Sequence, residues 1–234
     1  MNIQEYDILN AIFTTTNPTQ RSLADCSGHS LGIVNRSIKK LTSDGYLTSS
    51  MQPTDKAIAL YKHSVPQNAI ILAAGFGMRM VPINTETPKG LLEIHGEALI
   101  ERIIRQLHEA NIHNIYIVVG FMKEQYEYLI DEYDVTLIVN ADYASKNNLH
   151  SLNLASEYLK NSYIIPCDIW CKDNPFHTHE LYSWYMVSDT QTNESSVRVN
   201  RKMELTAISK TAIGNAMIGI SYLSENDSSY IQQR

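Results

Sequence analysis

Between Ala73 and Gly90 the chain reads AAGFGMRMVPINTETPKG, and this loop carries the side chains best suited to chemistry. Gly75 and Gly77 have no Cβ, so their backbone N–H groups can approach an anion closely. Arg79 follows two residues later, and Pro88-Lys89 closes the loop after a polar stretch. The string is neither the G-x-G-x-x-G dinucleotide fingerprint nor a P-loop, which needs Gly-Lys followed by Ser or Thr. Two cations flanking a glycine nest suit a triphosphate, whose charge must be neutralised while one phosphorus is attacked. A bare turn with solvated cations would need only Gly and one charge, far less than the whole string.

An apolar run must deliver this loop, and NAIILAAG, from Asn68, reads as that strand. LIERIIRQLHEAN follows with a helical stripe of Ile100, Ile103, Ile104 and Leu107. NIYIVVG, VTLIVN and SYIIPCDIW read as further strands, with MKEQYEYLIDEY and NLHSLNLASEYL as the helices between them. Strands alternating with helices predict a mostly parallel α/β sheet with right-handed crossovers and helices on both faces. Ligands in such sheets sit beyond the carboxyl ends of the strands. Those ends are Gly75 to Arg79, Gly120 to Lys123, Asn140 to Tyr143, and Asp168 onward.

An apolar strand followed by G-x-G-x-R, Pro and Pro-Lys resembles the signature of the nucleotidyltransferases of the sugar-nucleotide pyrophosphorylase superfamily. Within it the chain is most similar to the bacterial CTP:phosphocholine cytidylyltransferases. The resemblance is carried by NAIILAAGFGMRMVPINTETPKGLLEIHG, by IYIVVGFMKEQYEYLIDEYDVTLIVNADYASKNNLHSLNLA and by NSYIIPCD, from about Asn68 to Asp168. It implies a Rossmann-like transferase domain in which the phosphate of a phosphorylated small molecule attacks the α-phosphorus of CTP or another NTP. It also implies roles for individual residues. Ala73, Ala74, Gly75, Gly77, Arg79 and Lys89 would hold the nucleotide, with Arg79 and Lys89 acting in catalysis. Asp168 would hold Mg²⁺, and Asn147, Asn148 and Ser151 fall where base and ribose contacts are expected, with Asp142 and Tyr143 near the same edge. An Asp after a strand or an Asn before a helix is also an ordinary cap. The scattered His95, His108, His113 and His150 receive no catalytic role.

Two departures bear on the acceptor and the metal. A quaternary ammonium gains from aromatic rings, yet the corresponding stretch reads DTQTNESSVRVN, with Ser195 where the family has Trp. Trp184 and Tyr185 are the nearby rings that would compensate. Phosphocholine leads, and phosphoethanolamine or a sugar phosphate stays open. The family also supplies a second metal-binding Asp after a segment resembling AMIGISYLSENDSSYIQQR, where this sequence stops. The expectation is a fragment of a longer protein, with room for a further C-terminal domain.

Residues 1–63 differ in character. They carry six basic and five acidic side chains, +1, which leaves −7 for the remainder of a chain whose net charge is −6. Ile3, Tyr6, Ile8, Leu9, Ile12 and Phe13 recur at helical spacing; Thr19 opens a second helix that stops at Gly28. Ser30 opens a third, with Leu31, Val34, Ile38 and Leu41 as its buried stripe. YLTSSMQPTDKAIALYKH then reads as a short strand, a polar turn and an apolar continuation. The segment SLADCSGHSLGIVNRSIKKLTSDGYL resembles the winged helix-turn-helix domains of MarR-like regulators. That resemblance implies DNA contacts from Asn35, Arg36, Lys39 and Lys40, against the plainer reading of a solvated face. Residues 64–67 are the expected linker, and 68–234 the transferase domain. A nucleotide-sensing regulator is therefore the alternative to an enzyme.

The overall acidity excludes a protein that coats nucleic acid along its whole length. Three cysteines, Cys26, Cys167 and Cys171, form no disulfide framework and lack the second pair a zinc site needs. With no signal-peptide pattern and no long apolar run, a cytoplasmic protein is expected.

Overall fold

The computed structural model describes residues 1–76, 86–194, 196–200, 204–209 and 211–232. The chain divides into two compact units, Met1–Val65 and Pro66–Arg234.

The first unit is helical. Helix α1 (Ile3–Thr14) begins in a capping box, Asn2 receiving the Glu5 N–H while Glu5 receives that of Asn2. Helix α2 (Gln20–Ser27) uses Thr19 and Ser22 in the same way and ends at Gly28, whose φ of 68° is left-handed. Helix α3 (Leu31–Ser43) is capped by Ser30 and buries Val34, Ser37, Ile38 and Leu41. Ile8, Leu9 and Ile12 of α1 and Leu23 of α2 are buried with them. Leu31, expected in that stripe, is 49% exposed. It is the first helical residue, one turn short of Val34, where the helix end runs past its neighbours.

After α3 the expected wing is reduced to one antiparallel bridge, Leu47 to Pro53. The apolar continuation is a helix, α4 (Asp55–His63), because Thr54 caps it and the Ala-containing run DKAIALYK favours helix. On the outer face of α3, Lys40 pairs with Asp44 at 2.8 Å, whereas Arg36 and Lys39 make no ion pair among the described residues. Asn35 reaches Gln20 at 3.5 Å.

The second unit is the α/β layer structure. Its strands are β1 (Asn68–Ala73), the short hairpin β2 (Glu93–Ile94) and β3 (Glu97–Ala98), β4 (Asn114–Val119), β5 (Thr136–Val139), β6 (Ser162–Pro166), β7 (Trp184–Thr192), β8 (Ser196–Val199), β9 (Leu205–Ser209) and β10 (Gly214–Leu223). Helices α5 (Leu99–Glu109), α6 (Tyr128–Tyr133), α7 (Asn148–Leu154) and α8 (Glu225–Gln232) lie between or after them. The main sheet runs β5-β4-β1-β6-β10-β8-β9, with β7 also on β10. The first four strands are parallel; β10 joins β6 antiparallel and begins an antiparallel extension.

Strand β1 is apolar on both faces because it is covered on both. Ala69, Ile71 and Ala73 share a core with Ile100, Ile103, Ile104 and Leu107 of α5. Ile70 and Ala74 pack on the other side with Val118, Ile164, Ala155 and Leu159. Among the described residues no helix is long and apolar enough to cross a membrane.

Candidate active site

From β1 the chain order runs outward to β4 and β5 on one side, and β6 lies on the other. That reversal opens a crevice at the carboxyl ends of β1 and β6. Ala73 and Ala74 are buried there and Gly75 is exposed. Gly77 and Arg79, expected to hold the triphosphate, lie outside the described residues.

Lys89 returns to the crevice at the start of a 3-10 turn, Lys89–Leu91, closed by the Leu91 N–H on the Pro88 carbonyl (2.9 Å). Its Nζ lies 2.9 Å from Oδ2 of Asp168, with side chains 19% and 36% exposed. Asp168 stands two residues past the end of β6, and the N–H of the intervening Cys167 bonded to the Leu72 carbonyl (3.2 Å) fastens this stretch to β1. A cation and a carboxylate 79 residues apart in sequence thus meet at the expected strand ends.

Beneath this pair the packing is tight. A Cβ on Gly90 would sit 3.1 Å from both Cys167 Cβ and the Tyr126 hydroxyl, so the turn carrying Lys89 rests on them because residue 90 is glycine. Burial, helped by the Asp168 charge, pushes the Cys167 thiol up to about 12, so it stays neutral beside the carboxylate. Burial likewise raises the Tyr126 phenol far above its ordinary value.

The ends of β4 and β5 form the opposite wall. The Phe121 N–H donates to the Ala74 carbonyl (3.1 Å). That approach needs Gly120, since a Cβ there would lie 2.6 Å from Tyr143 Cβ and 2.8 Å from the Ala74 oxygen. Asn140 is buried; its Nδ2 donates to Ser151 Oγ (2.9 Å) and its Oδ1 accepts the Asp142 N–H (3.0 Å). Ser151, expected to touch the nucleotide, is therefore interior and spends its hydroxyl on Asn140. Asn147 is a cap, accepting the Leu149 and His150 N–H groups, while Asn148 opens α7 and is exposed. Asp142 is exposed and 3.6 Å from His150.

Trp184 packs edge-on to Tyr163 against the core, centroids 5.9 Å apart. Tyr163 is the second residue of β6, and register puts Tyr185 opposite Ser221, itself opposite Ile164 at the middle of that strand. Ser195 lies outside the described residues. Gly120 and Asn140 stand at strand ends that the sequence marks, whereas Gly90 and Tyr126 act through contacts distant in sequence and carry no local sign.

Among the described residues no three His, Cys, Asp or Glu side chains gather as a ready-made metal cage. One exposed carboxylate at a strand end still suits Mg²⁺, which keeps its waters and takes one or two carboxylates beside substrate phosphates.

Sheet, crevice and paired charges together define a nucleotidyltransferase. A family model described as the MobA-like NTP transferase domain matches residues 69–193, and the chain belongs to that family. It is 37% identical over 167 residues to the choline-phosphate cytidylyltransferase of Haemophilus influenzae, covering 70% of this chain and 72% of that one. It is 34% identical over 168 residues to the 2-aminoethylphosphonate cytidylyltransferase of Lancefieldella rimae, 68% of each. Among solved structures, the CTP:phosphocholine cytidylyltransferase of Streptococcus pneumoniae superimposes with a TM-score of 0.68 at 35% identity, over 72% of this chain and 75% of that one.

Proposed function

We propose that the chain transfers CMP from CTP to a phosphorylated amino alcohol, phosphocholine first, and releases pyrophosphate. The observation that carries this is the Lys89–Asp168 pair at the switch point of the sheet. An oxygen of the acceptor phosphate attacks the α-phosphorus; the bond to the β-phosphate oxygen breaks, and pyrophosphate leaves with the electron pair. The attacking group is already an anion, so no protein nucleophile is needed, and orientation and charge neutralisation supply the rate.

Lys89 exchanges its carboxylate partner for the α-phosphate and the incoming phosphate as they bind. Gly75, Gly77 and Arg79 receive the remaining triphosphate charge, and Asn148 faces the nucleoside. Asp168 would hold Mg²⁺, whose positive charge would offset the charge developing on the phosphates. The packing of buried Gly90 against Cys167 keeps the neighbouring Lys89 and Asp168 within reach of each other. Three free cysteines suit a reducing cytoplasm.

The acceptor is tested by pyrophosphate release with CTP, Mg²⁺ and, in turn, phosphocholine, phosphoethanolamine, 2-aminoethylphosphonate and a hexose 1-phosphate. Fastest release with phosphocholine is expected. Release with the hexose phosphate alone would replace the acceptor class, and none with any NTP would remove the reading.

For residues 1–63 the second reading is a winged helix-turn-helix module on duplex DNA, joined through residues 64–67. Its support is the exposed α3 face, where Gln20, Leu31, Gly32, Asn35, Arg36 and Lys39 line an open depression. Lys40 contributes less, being paired with Asp44. Binding should weaken with salt, and Arg36→Ala should lower the salt slope by about 1. Mobility of a DNA fragment pool that never changes would reject it.

A further inference from the structure

The loop that leaves β6 presents Asp168 and then turns back along α5, and its hold comes from that helix. Arg102 lies across two successive carbonyls: Nε donates to Cys171 O (2.8 Å) and Nη2 to Lys172 O (2.7 Å). Its guanidinium carbon stands 4.8 Å from the centroid of the Trp170 ring. Nη1 meets Glu97 Oε2 at 3.3 Å, which keeps the fork itself in place. One turn later, Gln106 Nε2 reaches the same Cys171 carbonyl at 3.2 Å. A single side chain from α5 therefore engages residues 170, 171 and 172, directly after Asp168 and Ile169.

We propose that Arg102 is a positioning residue for the metal-binding carboxylate, acting through this loop on where Asp168 stands. The inference rests on the reading above, in which Asp168 holds Mg²⁺ beside the triphosphate. Without the clamp the backbone after Asp168 has lost its fork to α5, and the carboxylate samples positions from which it misses the cation. Contacts outside the ligand itself orient it, and losing one typically weakens metal binding about 10- to 100-fold. Only the planar fork spans two carbonyls and stacks on a ring; a lysine ammonium is a point donor.

The experiment measures Mn²⁺ binding to the full chain with CTP by electron paramagnetic resonance, with the unfolding temperature recorded alongside. Arg102→Lys and Arg102→Leu should each raise the Mn²⁺ dissociation constant about 10-fold, with CTP binding in the absence of divalent ions unchanged. Gln106→Leu should raise it less, and it carries the test if Arg102→Leu does not fold. Wild-type Mn²⁺ affinity in the Arg102 variants, whatever their unfolding temperature, would overturn the proposal, as would full rescue by Lys. Asp168→Asn is the control: if it leaves Mn²⁺ affinity unchanged, the parent reading falls and this one with it. If it weakens Mn²⁺ and the Arg102 variants do not, this proposal alone falls.

Discussion

Gly90 shows how much of the site depends on an atom that is missing. The turn of Lys89 lies so close to Cys167 and Tyr126 that a methyl group on residue 90 fits only if these neighbours give by a few tenths of an ångström. Gly90→Ala should shift the turn and lower kcat about 10-fold, since small misplacements of a positioning group are costly. The Tyr126 hydroxyl is buried with no hydrogen-bond partner among the described residues. An unsatisfied buried donor costs about 1–3 kcal/mol, so Tyr126→Phe should raise the unfolding temperature. Combined with Gly90→Ala it should restore part of kcat, because it removes one of the two atoms the new methyl would meet. Additive losses in the double variant would show that the hydroxyl does not limit the turn.

At the scale of elements, the connection from β6 to β7 is held by a buried carboxylate. Glu180 accepts from the Tyr163 hydroxyl (2.5 Å) and pairs with His177 Nδ1 (2.8 Å), while the Tyr163 oxygen accepts the His177 N–H (3.0 Å). The hydrogen bond to Glu180 raises the His177 pKa against the opposing pull of burial. A raised folded-state pKa adds stability that is fully present below the unfolded value of about 6.5 and is lost as pH climbs through the folded one. The unfolding temperature should therefore fall between pH 6 and pH 8, and fall less in His177→Gln. Equal slopes for the two proteins would remove His177 as the cause.

Elements of this kind were unevenly legible. The NAIILA run announced a strand covered on both faces, and the Thr19, Ser30 and Gly28 caps announced helix ends, because those signals are local. Residues 55–63 read only as an apolar continuation, since their apolar positions fit either period over so short a run; Thr54 and the alanines decide for helix. The ring of Trp184 is visible in sequence, whereas its packing on Tyr163 is not. The partner of Ser151, Asn140, is on another element and is equally hidden. Arg102 stands 69 residues from the carbonyl it holds, beyond any spacing rule.

For the whole molecule, a net charge of −6 describes its ligand poorly. The acidity is spread over the transferase unit, while the nucleotide chemistry depends on a few cations brought to one crevice by a parallel sheet. The order of strands, more than composition, decides where charge counts. The central claim is group transfer between phosphates, and ³¹P nuclear magnetic resonance of the chain with CTP, Mg²⁺ and phosphocholine follows every phosphorus in it. The account predicts pyrophosphate and a CDP-alcohol diphosphate growing in equal amounts, both lost in Lys89→Ala with the unfolding temperature retained. Inorganic phosphate with CDP, or an unchanged spectrum from the wild-type protein, would contradict it.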